Sequence, residues 1–524
     1  MAMTGPESSQ FPAQSSSVPD PNPNSNRARR RADPDFYREL KGQVFDSRRW
    51  FDRASLLVSA AIAGGVVVLF TLMSDAAFGL FGTLTARVPW LPLIWTPLLA
   101  AGIVWLTRRY APLASGSGIP QVIAAQSVQL DDDGRNWFVS IKLSVAKLLL
   151  ATAGLAAGLS IGKEGPSVQI AAGVLLYSRR WLSKRGLSPQ MLLVAGGAAG
   201  IAAAFNAPLA GVVFAFEELS HRIEARYSGA VIGAIVLAGL MGVSAFGDKA
   251  YFGAVHALPV GWPLLLPGLM VTVVTGLLGG LFAKLMIVTL TTGAVRGQQS
   301  RWAMPLRRLS AWRHRWPVRF AAVLGLVVAV IGLAAEGTTF GSGTAATSDL
   351  LHGQAPAAAL VFGPLKFLTT WLTAWSGVPG GIFAPSLATG AGIGYDIARL
   401  WGDGGNIALI AIGMAGFLAA VTQAPITSFL IVMEMIDGRP LVLSLMMVAM
   451  IAAGISRMIS RPLYATLAAG MLAQFRSRHE WIDLSVPADA GARAAAEPPA
   501  PSPESATTPP APSSPQTPPP DRNT

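Results

Sequence analysis

The sequence predicts an all-α polytopic membrane protein, and three observations support that fold class. First, 52% of the 524 residues are hydrophobic and only 13% are charged, whereas about a quarter of the residues in a soluble domain are charged. Second, the mean hydropathy is +0.47. Third, apolar runs recur along the chain, for example at 54–73, 143–161, 258–290 and 441–455. Several reach the ~20 residues that a bilayer-spanning helix needs, and others are shorter and are broken by Gly or Pro.

The basic residues predict the orientation of the chain in the membrane. The formal net charge is +12, and most Arg and Lys clusters flank apolar runs, as at 27–31, 108–109, 179–185 and 301–319. Basic flanks are typical of the cytoplasmic side of membrane proteins. We therefore expect these flanks and both termini to be cytoplasmic. We expect no nucleic-acid partner, because the charge follows the apolar runs.

Composition divides the chain into a membrane domain and two tails. Residues 1–35 are rich in Ser, Pro and Asn and lack the apolar stretch of a signal peptide, so a disordered tail is expected. The membrane domain is predicted at 36–480, beginning with an aromatic and charged segment at 36–53 that fits an interfacial helix. Residues 481–524 are rich in Ala, Pro and Ser and are predicted to form a second disordered tail. Because the chain has no cysteine and no His-Glu-x-x-His motif, we expect neither a metal nor another cofactor.

The sequence GKEGPS at 162–167 is the strongest candidate for a site. An ionised Lys163 and Glu164 at membrane depth are costly unless they face a cavity or a partner. Pro166 fits the first turn of a helix, so a helix should begin here with its amides pointing at an anion, whose place the Glu164 carboxylate could itself occupy. The alternative is an ordinary turn with a solvated Lys–Glu pair. A phosphate-binding P-loop is excluded by the spacing of the glycines and by the Glu after the Lys.

The second half of the sequence repeats the first. GKEGPSVQIAAG at 162–173 aligns with GIFAPSLATGAG at 381–392, and Asn-Ala-Pro at 206–208 aligns with Gln-Ala-Pro at 423–425. In both copies a glutamate follows that proline by nine residues. Repeats with Gly- and Pro-broken helices at matching places indicate a transporter whose binding site lies between the repeats, near the membrane midplane.

Three further stretches contain candidate site residues. In GSGIP at 116–120, Ser117 precedes a helix break, although a helix cap is its simpler role. GGIFAP at 380–385 predicts another helix start that offers only backbone donors, and a Gly-rich turn before a packed helix is the alternative. Tyr464 fits either the interfacial aromatic belt or a hydroxyl that reaches inward. The acidic run at 131–134 is interpreted as a solvated turn.

Together these stretches resemble the CLC family of chloride channels and chloride/proton antiporters. The resemblance covers roughly residues 50–475 and rests on five ordered motifs. These are GSGIP (116–120), GKEGP (162–166), AAFNAPLAGVVFAFEE (203–218), GGIFAP (380–385) and PLY (462–464). The resemblance implies a homodimer in the lipid bilayer. Each subunit would build its own anion pathway from two inverted repeats of tilted and broken helices, here about 50–250 and 258–475.

The resemblance also implies which residues bind the anion. Ser117 and Tyr464 would donate hydroxyl hydrogen bonds to a central chloride, and the amides of Ile382 and Phe383 would donate to the same ion. Hydroxyls and helix N-termini suit transport because they stabilise an anion without trapping it on a full positive charge. Ser117, where some members have Pro, implies a preference for chloride over nitrate. The GSGIP context argues against the fluoride-exporting branch.

Two glutamates are implied to move protons. Glu164 would be the external gate, beside an outer anion site formed by Lys163, Glu164 and Gly165. Glu218 matches the inner glutamate that passes protons to the gate in exchangers, where channels usually have an apolar residue. A solvated carboxylate at a helix end is the alternative for Glu218. The expected function is therefore secondary active chloride/proton antiport, with chloride and protons as partners. A passive voltage- or pH-gated chloride channel on the same fold is the alternative.

Some positions depart from the commoner family pattern. Lys163 replaces the more frequent Arg, Gln121 stands where Glu often follows GSGIP, and Ile123 is apolar where a carboxylate can occur. Lys147 resembles a buried family lysine, and Ile123 would leave it without its usual partner. No nucleotide-binding CBS pair follows the membrane domain, so the chain resembles the compact prokaryotic type, in a bacterial inner membrane.

A rival from another class is an intramembrane serine hydrolase. Its nucleophile would be Ser117, which would need a His or Lys base within hydrogen-bond reach at the same depth. All five histidines of the sequence read as loop or helix-end residues. We therefore expect that the protein is not an enzyme.

Overall fold

The structure is a computed structural model that describes residues 47–182, 187–220, 228–247, 250–253, 261–291, 304–354, 359–402 and 406–478. The described residues form nineteen α-helices and no β-strand. The first-half helices are α1 (Ser47–Arg87), α2 (Pro92–Tyr110), α3 (Ile119–Ala125), α4 (Asp132–Phe138), α5 (Ile141–Ala156), α6 (Glu164–Ser178), α7 (Pro189–Phe205), α8 (Pro208–Phe214) and α9 (Ser228–Phe246). The second-half helices are α10 (Leu265–Thr291), α11 (Met304–Arg315), α12 (Pro317–Ala334), α13 (Thr344–Leu351), α14 (Ala359–Ser376), α15 (Phe383–Leu400), α16 (Ile407–Thr422), α17 (Pro425–Ile436), α18 (Val442–Ile459) and α19 (Leu463–Arg478).

The chain divides into two compact units, Met1–Gln474 and Phe475–Thr524. Of the second unit, only the last four residues of α19 belong to the described part of the chain. Both predicted tails, 1–35 and 481–524, lie outside the described residues. The predicted interfacial segment at 36–53 is described only from Ser47, where α1 begins.

Six helical segments of the described part are long and apolar enough to cross a membrane. The longest helices are α1, with 41 residues, and α10, with 27. Their outward faces are apolar, and side chains such as Leu69 and Leu277 remain 53% and 48% exposed. Apolar side chains left exposed on long helices are compatible with lipid and not with water. The prediction of an all-α polytopic membrane protein is therefore confirmed.

Shorter helices fill the interior in a pattern that occurs twice. α6, α7, α15 and α16 are buried along nearly their whole length. α6 packs against α7 as α15 packs against α16, and α9 packs against α7 as α18 packs against α16. The internal repeat predicted from the sequence is thus present in the packing of the helices.

Matching helices of the two halves also end in the same way. α7 ends at Asn206 and α16 at Gln423, and both residues have left-handed backbones, with φ of 54° and 62°. Pro208 and Pro425 then begin α8 and α17, which suits proline because the first helical residue needs no amide proton. The Asn/Gln-Ala-Pro motif therefore encodes the break between two buried helices.

Reciprocal caps reveal that the two halves are inverted. Glu217, in the π-helical turn that follows α8, accepts hydrogen bonds of 3.0 and 2.6 Å from two amides in the first turn of α17. Glu434, near the end of α17, accepts bonds of 3.2 and 2.7 Å from two amides in the first turn of α8. Because each helix places its C-terminal glutamate at the N-terminus of the other, α8 and α17 run antiparallel. Antiparallel copies of one motif are what an inverted repeat requires.

The aspartates of the acidic run at 131–134 are exposed, as predicted, but the run forms the start of α4 and not a turn. Asp131 caps α4 by accepting a hydrogen bond of 2.7 Å from the amide of Gly134. Asp132 forms an ion pair of 3.3 Å with Arg135 and another with Arg179, the residue that follows the last residue of α6. A helix of seven residues has too few turns for an apolar period, so the sequence pattern could not identify it.

Candidate anion pathway

Three glycine-rich loops that are distant in sequence meet at one place. Gly162 and Gly381 exchange two backbone hydrogen bonds of 2.8 Å, and the Gly380 amide donates to the Gly116 carbonyl at 3.1 Å. A side chain at Gly381 would lie 2.8 Å from the Gly165 nitrogen, closer than packed atoms approach, so glycine is required for this contact. GSGIP, GKEGP and GGIFAP therefore form one continuous backbone cluster, as a site between the repeats requires.

Glu164 lies fully buried at the first position of α6, inside this cluster. Its carboxylate interacts with its own backbone amide and accepts a hydrogen bond of 3.4 Å from the amide of Ala384, in the first turn of α15. The second carboxylate oxygen, Oε1, has no hydrogen-bond partner in the described part of the chain. The carboxylate thus occupies the place that two helix N-termini offer to an anion.

Ser117 and Tyr464 bring two hydroxyls to the same region. Both hydroxyl oxygens are buried, and they lie close to each other. Neither makes a hydrogen bond of normal geometry with any described residue. The Ser117 hydroxyl is directed at the Gly165 Cα, where a side chain would collide with it. A buried hydroxyl without a partner costs about 1–3 kcal/mol, so both are donors suited to a ligand.

Ile382 and Phe383 lie at the start of α15, with Ile382 at the cap and Phe383 at the first helical position. The first amides of a helix have no partner within it. The Phe383 ring stacks on Tyr464, with centroids 6.1 Å apart and planes at 16°, and also contacts Phe205 and Phe214. Aromatic packing therefore holds the Tyr464 side chain against this helix start.

The Lys163 side chain is directed at two partners that the sequence analysis missed. It is buried and forms an ion pair of 2.9 Å with Asp75 in α1, and its ammonium lies 5.8 Å from the centroid of the Tyr251 ring. Tyr251 also interacts electrostatically with Glu164. The sequence could have indicated Asp75 as a partner, because an isolated acidic residue in an apolar membrane helix normally pairs with a basic one.

Glu217 and Glu218 are neighbours with different surroundings. Glu217 caps α17, as described above. Glu218 is half-buried in the π-helical turn Ala215–Leu219, where no described residue donates a hydrogen bond to its carboxylate. Its charge acts on the buried hydroxyl of Tyr464, as does the charge of Glu164. Single π-helical turns frequently mark functional sites. This one contains both a glutamate that caps a helix and a glutamate that accepts no hydrogen bond from a described residue.

Lys147 is fully buried in α5 and obtains its partners from the GSGIP loop. Its ammonium donates to the carbonyls of Ala114 and Gly116, at 2.7 and 2.6 Å. Gln121 closes the same loop, because its amide donates to the Ser115 carbonyl at 2.6 Å and accepts from the Gly118 nitrogen at 3.1 Å. Backbone carbonyls therefore supply the partners that a carboxylate at position 123 would otherwise offer to the lysine.

Lys366 is a second buried lysine, which the sequence analysis missed. It lies in α14 and donates to the carbonyls of Thr339 and Gly341, at 3.0 and 2.7 Å. Two features of the sequence could have identified it. Residues 341–343 repeat the Gly-Ser-Gly of 116–118. Each lysine also precedes its aligned glycine by fifteen residues, from 147 to 162 and from 366 to 381. The second half thus contains a counterpart of the GSGIP loop and of its lysine.

Comparison with known proteins identifies the family. The family model of the voltage gated chloride channel matches residues 97–457. The chain is 32% identical over 422 residues to the H(+)/Cl(-) exchange transporter ClcA of Cronobacter sakazakii, covering 74% of this chain and 82% of that protein. It is 28% identical over 453 residues to the protein of the same name from Citrobacter koseri, covering 80% of this chain and 89% of that protein.

A solved structure has the same fold. The crystal structure of a slow cyanobacterial Cl⁻/H⁺ antiporter superimposes with a TM-score of 0.67, at 22% sequence identity, over 80% of this chain and 98% of that chain. The similarity therefore extends from the motifs to the fold of most of the chain. The chain belongs to the voltage-gated chloride channel family, the CLC family.

Proposed function

We propose that this protein exchanges chloride for protons across a membrane. The observation that carries the proposal is the position of the Glu164 carboxylate, which is buried against the amides of two helix starts where an anion would bind. A protonatable group in the place of the transported anion links the two substrates, since the site accepts either the carboxylate or chloride. The relatives named H(+)/Cl(-) exchange transporter support this function over a passive channel.

The central chloride would be held by four neutral donors. The hydroxyls of Ser117 and Tyr464 are buried and make no hydrogen bond of normal geometry to a described residue, and the amides of Ile382 and Phe383 belong to the start of α15. The positive end of the helix dipole favours an anion there. Because no full positive charge contacts the ion in this arrangement, release stays fast enough for transport.

Glu164 would act as the gate. When ionised, its carboxylate occupies the amides of the outer anion site, where Lys163 and Gly165 flank it, and chloride cannot pass. Protonation removes the charge, weakens the hydrogen bonds to the amides, and lets the side chain move aside for chloride. Asp75 would pair with the Lys163 ammonium beside this site, so that the ammonium does not bind chloride too tightly for release.

Glu218 would be the inner proton relay. It is half-buried, has no structural hydrogen bond to a described residue, and acts electrostatically on the same tyrosine hydroxyl as Glu164. Glu217 is unsuited to this role because two amides of α17 already bind its carboxylate. A channel would have no use for a carboxylate in the position of Glu218.

The remaining parts of the proposal concern the assembly and its setting. We propose a homodimer in a bacterial inner membrane with both termini cytoplasmic, which the basic flanks of the apolar helices support. We propose no enzymatic activity. The Ser117 hydroxyl makes no hydrogen bond to a base among the described residues, and the ammonium of the nearby Lys147 is directed at two carbonyl oxygens instead.

A flux assay on reconstituted protein tests the proposed function. Vesicles with an outward chloride gradient and no proton gradient should drive protons uphill, in the direction opposite to chloride, and chloride and pH would be recorded together. A channel would move chloride without moving protons, and its reversal potential would ignore the proton gradient. That result would replace the antiporter with the channel on the same fold.

A further inference from the structure

A basic cavity lies where α4, the start of α5 and the end of α6 meet. Its volume is about 660 Å³. The polar side chains in its wall include Asp132, Arg135, Lys142, Arg179 and Arg180. None of these residues belongs to the anion pathway described above.

The wall of this cavity has an excess of positive charge that the described residues do not neutralise. Four cations face one carboxylate, and Asp132 is shared between Arg135 and Arg179. Lys142 and Arg180 have no carboxylate partner in the described part of the chain. Arg135 is only 8% exposed, and its Nε is buried without a hydrogen-bond acceptor among the described residues. A buried guanidinium N–H without an acceptor points to an anionic ligand.

An apolar groove of about 310 Å³ continues from this cavity, and Ile141 and Tyr177 line both. Its wall is formed by side chains of α1, α5 and α6, including Ile62 and Val145, which are 51% and 53% exposed. The groove therefore opens on the outer, apolar surface of the membrane helices.

Aromatic side chains mark the boundary between the two compartments. The Arg180 guanidinium lies 3.5 Å from the centroid of the Tyr177 ring, and Tyr177 packs edge-to-face against Trp181 at 5.8 Å. Tyr and Trp concentrate at the depth of lipid headgroups. This arrangement fits a basic cavity at headgroup depth and a groove at the depth of the acyl chains.

We propose that the cavity and the groove together bind one anionic glycerophospholipid of the adjoining leaflet. Its phosphate would contact Lys142, Arg180 and the Arg135 Nε, and one acyl chain would lie along Ile62 and Val145. A free phosphate would use the cavity and leave the groove to other lipid, whereas a neutral lipid would not balance the surplus cations. Only a ligand with an anionic head and a long apolar tail uses both compartments and their shared wall.

Native mass spectrometry of the full chain, titrated with lipid in detergent, tests this proposal. The probes are phosphatidylglycerol, phosphatidylcholine with the same acyl chains, and soluble glycerol phosphate. We expect one tightly retained phosphatidylglycerol per protomer and at least tenfold weaker binding of the other two. Lys142→Gln with Arg180→Gln should lower the affinity for phosphatidylglycerol about 20- to 30-fold, since each charge near the headgroups contributes roughly a fivefold factor.

A matched control separates this site from general attraction to a basic surface. Arg315→Gln with Arg319→Gln also removes two exposed charges, one of them stacked on Trp316 at 4.4 Å, but touches neither compartment. This pair should bind phosphatidylglycerol like the unchanged protein.

The groove is tested on its own by a second pair of substitutions. Val145→Trp, which fills the groove, should weaken lipid binding. Leu149→Trp, at a position that is 54% exposed on the same helix but outside the groove, should not.

Several results would overturn the proposal. One is equal retention of phosphatidylcholine, and another is binding of glycerol phosphate as tight as that of the lipid. The others are an unchanged affinity in the Lys142/Arg180 variant and the absence of any retained lipid because another part of the chain closes the groove.

Discussion

Lys366 holds the Gly-Ser-Gly loop of the second half as Lys147 holds that of the first. Each ammonium donates to two carbonyls that lie two residues apart, Ala114 and Gly116 in one half, Thr339 and Gly341 in the other. Both lysines are fully buried, where an unpaired charge would cost several kcal/mol. The inverted repeat therefore extends to a polar contact inside the membrane domain.

The two lysine contacts predict a difference between matched variants. Lys147→Met and Lys366→Met should each lower the free energy of unfolding by about 1–3 kcal/mol, because methionine leaves buried carbonyls without a donor. Only Lys147→Met should also weaken chloride binding, since Lys147 positions the loop that contains Ser117. Thermal unfolding and chloride calorimetry on both variants check this. Equal losses of chloride affinity would mean that Lys147 has no special relation to the anion site.

The serines of the two loops predict a second difference. The Ser342 hydroxyl is hydrogen-bonded to that of Thr344 at 2.9 Å, whereas the Ser117 hydroxyl has no bond of normal geometry to any residue that the structure describes. Ser117→Ala with Tyr464→Phe should weaken chloride binding about 10- to 100-fold, because each hydroxyl contributes ~1.5–3 kcal/mol to a charged partner and the losses overlap. Coupling of chloride to protons should loosen as well, while the protein stays folded.

Ser342→Ala is the control for that experiment. It removes a hydroxyl from the equivalent loop, and it should leave the chloride affinity unchanged by calorimetry. If the Ser117/Tyr464 double variant binds chloride like the unchanged protein, these two hydroxyls do not belong to the central site.

Much of this architecture could be predicted from the sequence because it is encoded locally. The helix starts at Glu164 and Phe383 follow from Gly and Pro at adjacent positions, and the repeat exposes their equivalence. The pairing of Lys163 with Asp75 joins residues 88 apart in sequence, and no local pattern specifies such a contact. The sequence shows that a glutamate follows each proline by nine residues, but it does not show that these glutamates cap helices of the opposite half. The caps that Glu217 and Glu434 form join residues 209 and 225 positions apart in sequence, so no local pattern could specify them.

The adjacent glutamates predict two different defects. Glu218→Gln should abolish proton movement and leave chloride flux, because an amide cannot take up and release a proton and no described residue donates a hydrogen bond to the Glu218 carboxylate. Glu217→Gln should lower stability by about 1–3 kcal/mol, since it weakens two charge-assisted bonds to the first turn of α17. Parallel records of chloride and pH in vesicles, with thermal unfolding, separate the two effects.

Glu434→Gln serves as the comparison for the structural effect. It weakens the mirror-image cap on α8, so its loss of stability should match that of Glu217→Gln. If Glu218→Gln still drove protons uphill on a chloride gradient, the inner relay would lie elsewhere.

Protonation of Glu164 predicts the pH dependence of transport. In the proposed mechanism the ionised carboxylate blocks the anion path and the neutral acid does not, so chloride flux should rise as pH falls. Glu164→Gln mimics the neutral acid. It should carry chloride without moving protons and lose the part of the pH dependence that the gate contributes.

Glu164→Ala should behave like Glu164→Gln and differ in one respect. It leaves space beside the amide of Ala384, where the carboxylate lies in the unchanged protein, so an additional anion should bind there. Bromide, which anomalous diffraction identifies, would reveal the ion in crystals of this variant and not of Glu164→Gln, whose side chain still fills the space. Proton-coupled exchange in Glu164→Gln at the rate of the unchanged protein would mean that this glutamate is not the gate. The anion pathway would then need a different protonatable group, and Glu218 is the remaining carboxylate whose charge acts on the Tyr464 hydroxyl.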